Sequence, residues 1–393
     1  MRKQLLSLLI GVTLVGGCAA PDAEPRVREA GAIESQGFIE QWRAPVKLET
    51  GEALERGFLI DGTLYVYTSE NRVYALEASG GHLRYSNNIA RATTRVRPPL
   101  VQGGRVIFPT RSTLEVYNPN GRQLGSVPLG NSIRSPGAGS GNMVYVGLDY
   151  AIGGRMAKID ITRPYAHTVW ELMTDGGLSS APALFEDIVY FGSEGGTVYA
   201  VNANRNPVWG TPGGVFRTGG PILAGVKVDE TGVYVASTDT KLYCIDRLNG
   251  RLRWQYFAGA PLNEAPVLTD DAVYLQVPDK GLVALDKNEG GYTRRARWAV
   301  RDARQFLSQD QTHAYVSMRD GSIAAVDRAS GEVRFRSQRR GFDVFITNTD
   351  NSTIYLARKE GTILAVRPVL SPGTVGYIVR GDDVPLEPVA LAR

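Results

Sequence analysis

The sequence predicts an all-β protein, an eight-bladed β-propeller with four-stranded antiparallel blades. The first observation is a short apolar segment with a central aromatic or branched residue, which recurs eight times at intervals of about 41 residues. Four strands per unit of about 40 residues are typical of a propeller blade. The eight segments are Leu64–Val66, Val106–Phe108, Val144–Val146, Val189–Phe191, Val233–Val235, Val273–Leu275, Ala314–Val316 and Ile354–Leu356.

The second observation is that turn residues follow the same order in each unit. Asp61-Gly62 precedes one aromatic strand, and Asp320-Gly321 follows another. A small residue and an acid come next, as in Ala325 and Asp327, and a glycine then leads to an aromatic residue. Alternating strands bounded by Gly, Asn and Asp predict hairpins, and the recurring acid is expected to close a turn by a hydrogen bond.

The third observation is an aromatic residue late in almost every unit. All five tryptophans share this position, and only Leu124 lies near it in the second unit. We expect each ring to pack against the neighbouring blade, where its burial contributes roughly 1.5–3 kcal/mol. The aromatic residues are Trp42, Tyr85, Trp170, Trp209, Trp254, Trp298 and Phe335. Cys244 occupies the small-residue position of its unit and is predicted to be a buried apolar residue rather than a nucleophile.

The ends of the repeat predict how the ring closes. The eighth unit, Val344 to Val366, contains three strands and lacks an aromatic fourth. The segment Phe38–Leu48 carries Trp42 and precedes the first full unit, so the N-terminal strand is expected to complete the last blade. The propeller is thus predicted to span residues 38–368, and the tail 369–393 lies outside the repeat with no structure assigned.

The first residues resemble a bacterial lipoprotein signal. Two positive charges, Arg2 and Lys3, precede an apolar run that is too short to span a bilayer, which needs about 20 residues. The run ends at Val15-Gly16-Gly17-Cys18, similar to a lipobox, and implies a signal peptide (1–17), lipidation of Cys18 and a tether (18–37). In lipoproteins of this kind, an Asp two positions after the lipidated cysteine retains the protein at the inner membrane. Here that position is Ala20, which favours the outer membrane. The alternative is an ordinary cleaved signal with an incidental cysteine.

Charge provides no sign of nucleic-acid binding. The net charge is +4, and it falls to +2 once Arg2 and Lys3 are removed. Two groups of arginines stand out and predict either solvated outer strands or a surface for an acidic partner. They are Arg294, Arg295, Arg297, Arg301 and Arg304, and Arg334, Arg336, Arg339 and Arg340.

The repeat resembles that of the quinoprotein dehydrogenase propellers. Leu242-Tyr243-Cys244-Ile245-Asp246, Gly250 and Trp254 carry the pattern, which also fits Ala325, Asp327, Gly331 and Phe335. Two families share it. The pyrroloquinoline quinone enzymes typically carry an adjacent cysteine pair and calcium ligands, whereas Cys244 is the single cysteine of the body. The BamB lipoproteins of the outer-membrane β-barrel assembly machine have an anchor, eight such blades and no cofactor.

Resemblance to the BamB family implies a scaffold without catalytic residues, cofactor or metal. It would be anchored in the outer membrane facing the periplasm and would bind the periplasmic domains of the assembly protein and unfolded barrel chains. In that family the contact residues lie on inter-blade loops. We therefore predict partner contacts at Phe216 and Arg217, within the glycine-rich segment Gly210–Gly220. A scaffold in another envelope complex and a quinone-dependent enzyme are the alternatives.

Motifs for other chemistry were not found in the sequence. His82, His167 and His313 fall in different units, whereas zinc needs three or four converging ligands. The segment Gly137–Gly141 resembles a phosphate loop only in composition, because it leads into a predicted strand rather than a helix, and an inter-strand turn is expected there.

Overall fold

The computed structural model describes residues 37–163, 167–288, 292–337 and 341–368. The predicted signal peptide, Cys18 and the tail 369–393 lie outside the described residues, as does all of the predicted tether except Gly37. Almost all regular structure within the described ranges is strand. The strands form eight sheets with antiparallel blades, which confirms the predicted fold class.

Blades are numbered in chain order, and the strands of each run from the central axis outwards. Blade 1 comprises β2 (Leu54–Ile60), β3 (Thr63–Thr68), β4 (Arg72–Glu77) and β5 (Leu83–Asn88). Blade 2 comprises β6 (Leu100–Gln102), β7 (Arg105–Pro109), β8 (Thr113–Tyr117) and β9 (Gln123–Pro128). Blade 3 comprises β10 (Ala138–Ser140), β11 (Met143–Asp149), β12 (Gly154–Asp160) and β13 (Thr168–Met173). Blade 4 comprises β14 (Ala183–Phe185), β15 (Ile188–Gly192), β16 (Thr197–Asn202) and β17 (Val215–Arg217).

The second half of the chain continues this order with two variations. Blade 5 comprises β18 (Lys227–Val228), β19 (Val233–Ala236), β20 (Lys241–Ile245) and β21 (Leu252–Phe257), to which β25 (Thr293–Arg294) adds a fifth strand. Blade 6 comprises β22 (Val267–Leu268), β23 (Ala272–Val277), β24 (Gly281–Asp286) and β26 (Ala296–Val300). Blade 7 comprises β27 (Ala303–Gln309), β28 (His313–Met318), β29 (Ile323–Asp327) and β30 (Val333–Arg336). Blade 8 comprises β31 (Val344–Ile346), β32 (Ile354–Arg358), β33 (Thr362–Pro368) and β1 (Phe38–Pro45).

The hairpins follow from turn chemistry. Ile60 pairs with Thr63, so Asp61 and Gly62 form a two-residue loop, and both have a positive φ (47° and 67°). Such a loop requires a positive φ at both positions, and Gly and Asp tolerate it best. The recurring acids also close turns, since Oδ1 of Asp327 accepts hydrogen bonds from the backbone N–H groups of Ala329 (3.0 Å) and Ser330 (2.8 Å).

The ring closes as the sequence predicts. β1 pairs with β33 in antiparallel register from Phe38 opposite Pro368 to Pro45 opposite Thr362. The N-terminal strand thereby becomes the outermost strand of blade 8. Because this pairing joins the two ends of the propeller, no blade is left with three strands.

The late aromatic residues lie at the boundaries between blades. Trp42, on blade 8, donates its indole N–H to the carbonyl of Ala78 on blade 1 (2.9 Å). Trp298, on blade 6, donates in the same way to Arg328 on blade 7 (2.9 Å). The same turns carry glycines against the ring, since a Cβ at Gly81 would lie 2.4 Å from Trp42 and one at Gly331 2.3 Å from Trp298. At these two boundaries a ring, a carbonyl and a glycine join one blade to the next.

Three segments differ from the sequence-based expectations. Gly137–Gly141 is not only a turn, because Ala138–Ser140 forms the innermost strand β10. Gly210–Gly220 is not one inter-blade loop, because Val215–Arg217 forms β17. Arg294 does not lie on a solvated face, because it is buried with its guanidinium 5.1 Å above the ring of Trp254.

Candidate binding face

The two ends of the propeller differ in the connections they carry. The inter-blade connections and the turns between the second and third strands of each blade lie at one end, here called the loop face. The remaining turns lie at the other end, the turn face. Phe38 and Pro368 pair at the turn face, so the described chain enters and leaves the propeller there. The loop face is therefore the end remote from both chain termini of the propeller.

Exposed apolar side chains on the loop face are confined to one sector. Among the described residues, four large apolar side chains at this face are well exposed: Ile152 (87%), Met173 (63%), Phe257 (49%) and Leu223 (40%). All four belong to blades 3 to 5 or to the connection between blades 4 and 5. Clustered exposed apolar groups are typical of protein-interaction sites, whereas isolated ones are ordinary.

Arg217 lies within this sector, at the loop-face end of β17. Its side chain is 70% exposed, and Nη1 lies 3.4 Å from a carboxylate oxygen of Asp175 in the connection between blades 3 and 4. Asp175 also accepts a hydrogen bond from Oγ of Ser193 (2.5 Å) and one from the hydroxyl of Thr197. Burial by itself would raise the pKa of Asp175, but these hydroxyl donors, Tyr199 and Arg217 together lower it below its usual value. The carboxylate is thus ionised and holds two loops together.

Phe216, unlike Arg217, packs between blades 4 and 5. Its ring packs edge-to-face on Tyr243 of blade 5, with 5.5 Å between centroids, and belongs to the apolar core between blades 4 and 5. Phe216 pairs with Val198, as Tyr256 of blade 5 pairs with Leu242, so the two aromatics occupy equivalent positions. The predicted pair is therefore divided, with Arg217 available on the loop face and Phe216 half-buried between blades.

The segment between Trp209 and Val215 is an insertion in the outer strand of blade 4. In blade 5, Trp254 opposite Cys244 is followed at once by Gln255 opposite Tyr243. In blade 4 the N–H of Val208 reaches the carbonyl of Ala200, but the next pair, Tyr199 with Val215, comes only after Pro212–Gly214 has formed a short 3₁₀ turn. The glycine-rich sequence thus makes a bulge at the outer rim rather than an inter-blade loop.

The mouth of the central channel is a cavity of about 720 Å³ at the loop face. Inner-strand residues of blades 1, 7 and 8 form its wall, and its lining combines acids with arginines. The charged lining residues are Glu55, Arg56, Glu264, Arg304, Arg319, Asp320 and Asp343. Among the described residues, no group of three or more histidine, cysteine or acidic side chains has an arrangement suited to a metal ion.

Of the seven described arginines in the two groups noted in the sequence, three form ion pairs: Arg297, Arg334 and Arg336. Arg297 contacts Asp271 (3.1 Å) and Asp286 (2.7 Å), both within blade 6 at the turn face. Arg336 contacts Asp320 (2.9 Å) and Arg334 contacts Glu332 (2.9 Å). Arg339 and Arg340 lie outside the described residues. These pairs link strands and turns of the propeller to one another.

Several site residues could not be found from sequence. Ile152, Met173 and Leu223 have the residue types of core positions, and only the folded ring shows them to be exposed at the same end. Ile152 offers a weak local signal, because it precedes Gly153, whose φ is +70°, in a turn. No helix in the described ranges is long and apolar enough to cross a membrane.

The fold is that of an eight-bladed β-propeller with exposed apolar side chains in one sector of its loop face, and comparison with known proteins gives its family. The sequence model of the family described as outer membrane protein assembly factor BamB matches residues 35–112 and 194–338, together more than half of the chain. The chain belongs to this family. The comparison with curated proteins found no match.

Solved structures confirm the fold. BamB from Moraxella catarrhalis superposes with a TM-score of 0.64 at 19% identity, covering 86% of this chain and 99% of that one. The computationally designed Ika8 protein gives a TM-score of 0.59 at 15% identity, covering 80% of this chain and 96% of that one. The C-terminal WD40 domain of Sif2 gives 0.61 at 14% identity, with coverages of 86% and 99%. At these identities the similarity shows the fold alone.

Proposed function

We propose that this protein is a non-catalytic scaffold that helps to assemble outer-membrane β-barrel proteins. In this proposal the loop face of blades 3 to 5 binds a periplasmic domain of the assembly protein, and unfolded barrel chains are handed over nearby. The family description supports a role in outer-membrane protein assembly. The location of the binding site rests on one observation, the confinement of four exposed apolar side chains to one sector: Ile152, Met173, Leu223 and Phe257. Lipid anchoring at Cys18 in the outer membrane, facing the periplasm, is part of the same proposal.

The mode of binding follows from the chemistry of the sector. The four apolar side chains can be desolvated by a partner, and each contributes roughly 1.5–3 kcal/mol if fully buried. Arg217 and the ionised Asp175 lie among them and can hydrogen-bond polar groups at the rim of the contact. Because Asp175 links the connection between blades 3 and 4 to Ser193, in the turn between β15 and β16, and to Arg217, the surface is ordered before the partner arrives.

Affinity capture from the cell envelope tests the proposal. We expect the double variant Ile152→Asp/Met173→Asp to lose capture of the assembly protein by at least about tenfold, because two exposed apolar contacts are replaced by charges. The matched control is Leu83→Asp/Leu248→Asp, which changes two side chains on the turn face that are 53% and 68% exposed. The control should capture normally, and both variants should melt within about 2 °C of the parent.

The outcomes separate the alternatives. Equal loss in both double variants would contradict the placement of the site on the loop face. Capture of a different envelope complex, sensitive to Ile152→Asp/Met173→Asp, would keep the site and replace the assembly machine by another partner. Arg217→Glu alone tests the polar rim, and we expect a smaller loss than for the apolar pair because the side chain is largely solvated.

A further inference from the structure

The loop-face end of blade 2 is rich in positive charge. The three segments that form this end, residues 89–99, 110–112 and 129–137, contain five arginines and neither an acid nor a lysine. Four of these arginines and one from the inner strand of blade 1 are here called the arginine cluster. Its members are Arg56, Arg95, Arg97, Arg111 and Arg134. The fifth loop arginine, Arg91, lies instead in a cavity that Glu49, Glu52 and Glu70 also line.

Hydrogen bonds to backbone carbonyls join the segments that carry the cluster, which are the inner strand of blade 1 and the loops of blade 2. Nη1 of Arg56 donates to the carbonyl of Val96 (3.0 Å), and Nη2 of Arg97 donates to the carbonyl of Ile133 (2.8 Å). The N–H of Ile133 in turn reaches the carbonyl of Arg111 (2.7 Å). Arg134 follows directly, and its guanidinium contacts Glu194 (3.1 Å) and Asp149 (3.5 Å) at the boundary with the apolar sector.

The loop that carries Arg95 and Arg97 is held in place by hydrogen bonds to its carbonyl groups. Asn71 is buried, and its side-chain amide donates to the carbonyls of Arg91 (2.8 Å) and Thr94 (2.7 Å). The hydroxyl of Tyr67 donates to the carbonyl of Arg97 (3.1 Å), whose N–H reaches the carbonyl of Pro109 (2.8 Å). Because its carbonyls are bound inwards, this loop holds its arginines in place before any ligand arrives.

Among the described residues, Arg134 is the one member of the arginine cluster that has an ion-pair partner. Within the described part of the chain, no ion pair joins Arg56, Arg95, Arg97 or Arg111 to a carboxylate. Nε of Arg97 is buried without a hydrogen-bond partner there. Burial, together with repulsion from Arg95, Arg134 and Arg56, lowers the pKa of Arg97 to about 10, which still leaves it charged at neutral pH. An anion that approached the cluster would relieve this repulsion.

We propose that the arginine cluster binds an acidic segment of a protein partner, with side-chain carboxylates facing Arg95, Arg97 and Arg111. The guanidinium forks suit carboxylates in bidentate geometry. The width of the arginine cluster favours a polypeptide over a small anion as the ligand, because the charges are spread over the connections of blades 1 to 3 instead of lining one small cavity. The position of the cluster also favours a protein partner, since the cluster adjoins the apolar sector of the loop face and is remote from Phe38, where the described chain enters the propeller. The inference deepens the proposed function and rests on it for the identity of the partner.

Binding of a labelled decaglutamate peptide to the purified protein, followed by fluorescence anisotropy at low salt, tests the charge recognition directly. We expect Arg95→Glu/Arg111→Glu to weaken binding by at least about tenfold, because both side chains are exposed and have no ion pair to lose. The matched control is Arg122→Glu/Arg251→Glu, two exposed arginines on turn-face hairpins, which makes the same change in net charge. The control should bind within about twofold of the parent.

Each result decides the inference. Failure of the parent to bind decaglutamate, or equal weakening in both double variants, would overturn it. Binding to phosphatidylglycerol vesicles that depends on Arg95 and Arg111, without decaglutamate binding, would assign the cluster to a lipid surface instead. If decaglutamate binds as expected but envelope capture is insensitive to Ile152→Asp/Met173→Asp, the cluster stands and the proposed function fails. Near-ultraviolet circular dichroism shows whether each variant is folded, and Arg95→Ala/Arg111→Ala replaces a variant that is not.

Discussion

At the scale of residues, the contact between an aromatic ring and a turn glycine of the next blade recurs around the ring. Gly331 has a φ of +77°, and a Cβ there would lie 2.3 Å from Trp298. The arrangement is repeated between blades 4 and 5, where a Cβ at Gly250 would lie 2.6 Å from the ring of Trp209. The glycine is thus required for two reasons, because its backbone is left-handed and because a side chain would occupy the volume of the indole.

A pair of glycine substitutions separates these two reasons. Gly331→Ala should lower stability by about 2–5 kcal/mol, since a left-handed backbone costs about 1–2 kcal/mol and overpacking about 1–3 kcal/mol. Gly62→Ala is the control, because Gly62 also has a positive φ (67°) but a Cβ there would meet nothing within 4 Å. Its cost should be about 1–2 kcal/mol. Urea denaturation measures both, and equal midpoints would contradict the role of the ring contact.

The thiol of Cys244 should be unreactive in the native protein. It is buried between blades 5 and 6, and burial, as the largest cause, raises its pKa to about 12. Since the reactive species is the thiolate, almost none is present near pH 8. In the Cys18→Ser variant, where Cys244 is the single thiol, we expect slow reaction with a chromogenic disulfide until denaturant is added. Rapid stoichiometric reaction without denaturant would show that the site is open.

At the scale of elements, closure by β1 and the added strand β25 both join distant parts of the chain. β25 pairs in parallel with β21, Gln255 opposite Thr293 and Tyr256 opposite Arg294, although it lies in the sequence between two strands of blade 6. It covers part of the outer edge of blade 5, which would otherwise present unpaired backbone groups. By main-chain hydrogen bonds, β1 joins the N-terminal segment to blade 8, and β25 joins the segment between two strands of blade 6 to blade 5.

Deletion of the closing strand tests the closure by β1. Removing residues 38–48 should lower the melting temperature far more than removing residues 19–36, because the first deletion takes away β1, the buried Phe38 and the bond from Trp42 to Ala78. The second deletion removes sequence rich in charged and small residues before the propeller. Differential scanning calorimetry compares the two proteins. Similar melting temperatures would mean that the ring is stable without its closure.

At the scale of the whole molecule, the described chain enters the propeller at the turn face, opposite the loop face. Phe38 lies at the turn face, so an anchor attached before it would leave the loop face, with its apolar sector and its arginine cluster, directed away from the attachment point. Such an arrangement would present both surfaces to a partner in the aqueous compartment.

The anchor itself is testable by fractionation. Cys18→Ser should move the protein from the membrane fraction to the soluble periplasmic fraction, because lipidation at the lipobox-like Val15–Cys18 would be lost. A Cys244→Ser variant is the control and should remain with the membranes. Retention of Cys18→Ser after high-salt washing would contradict the lipid anchor.

The sequence by itself determined the repeat, the number of blades and the closure. These features are local or periodic: a strand, a turn glycine and an aromatic recur at a fixed interval, and the surplus strand Phe38–Pro45 matches the strand missing after Pro368. The tertiary structure decided the surfaces. Phe216 resembled an exposed loop aromatic but packs on Tyr243, because an insertion after Trp209 shifts it into a strand. Arg97 and Arg134 meet only because the loops of blade 2 pack together, and long-range packing of this kind leaves no pattern in a single sequence.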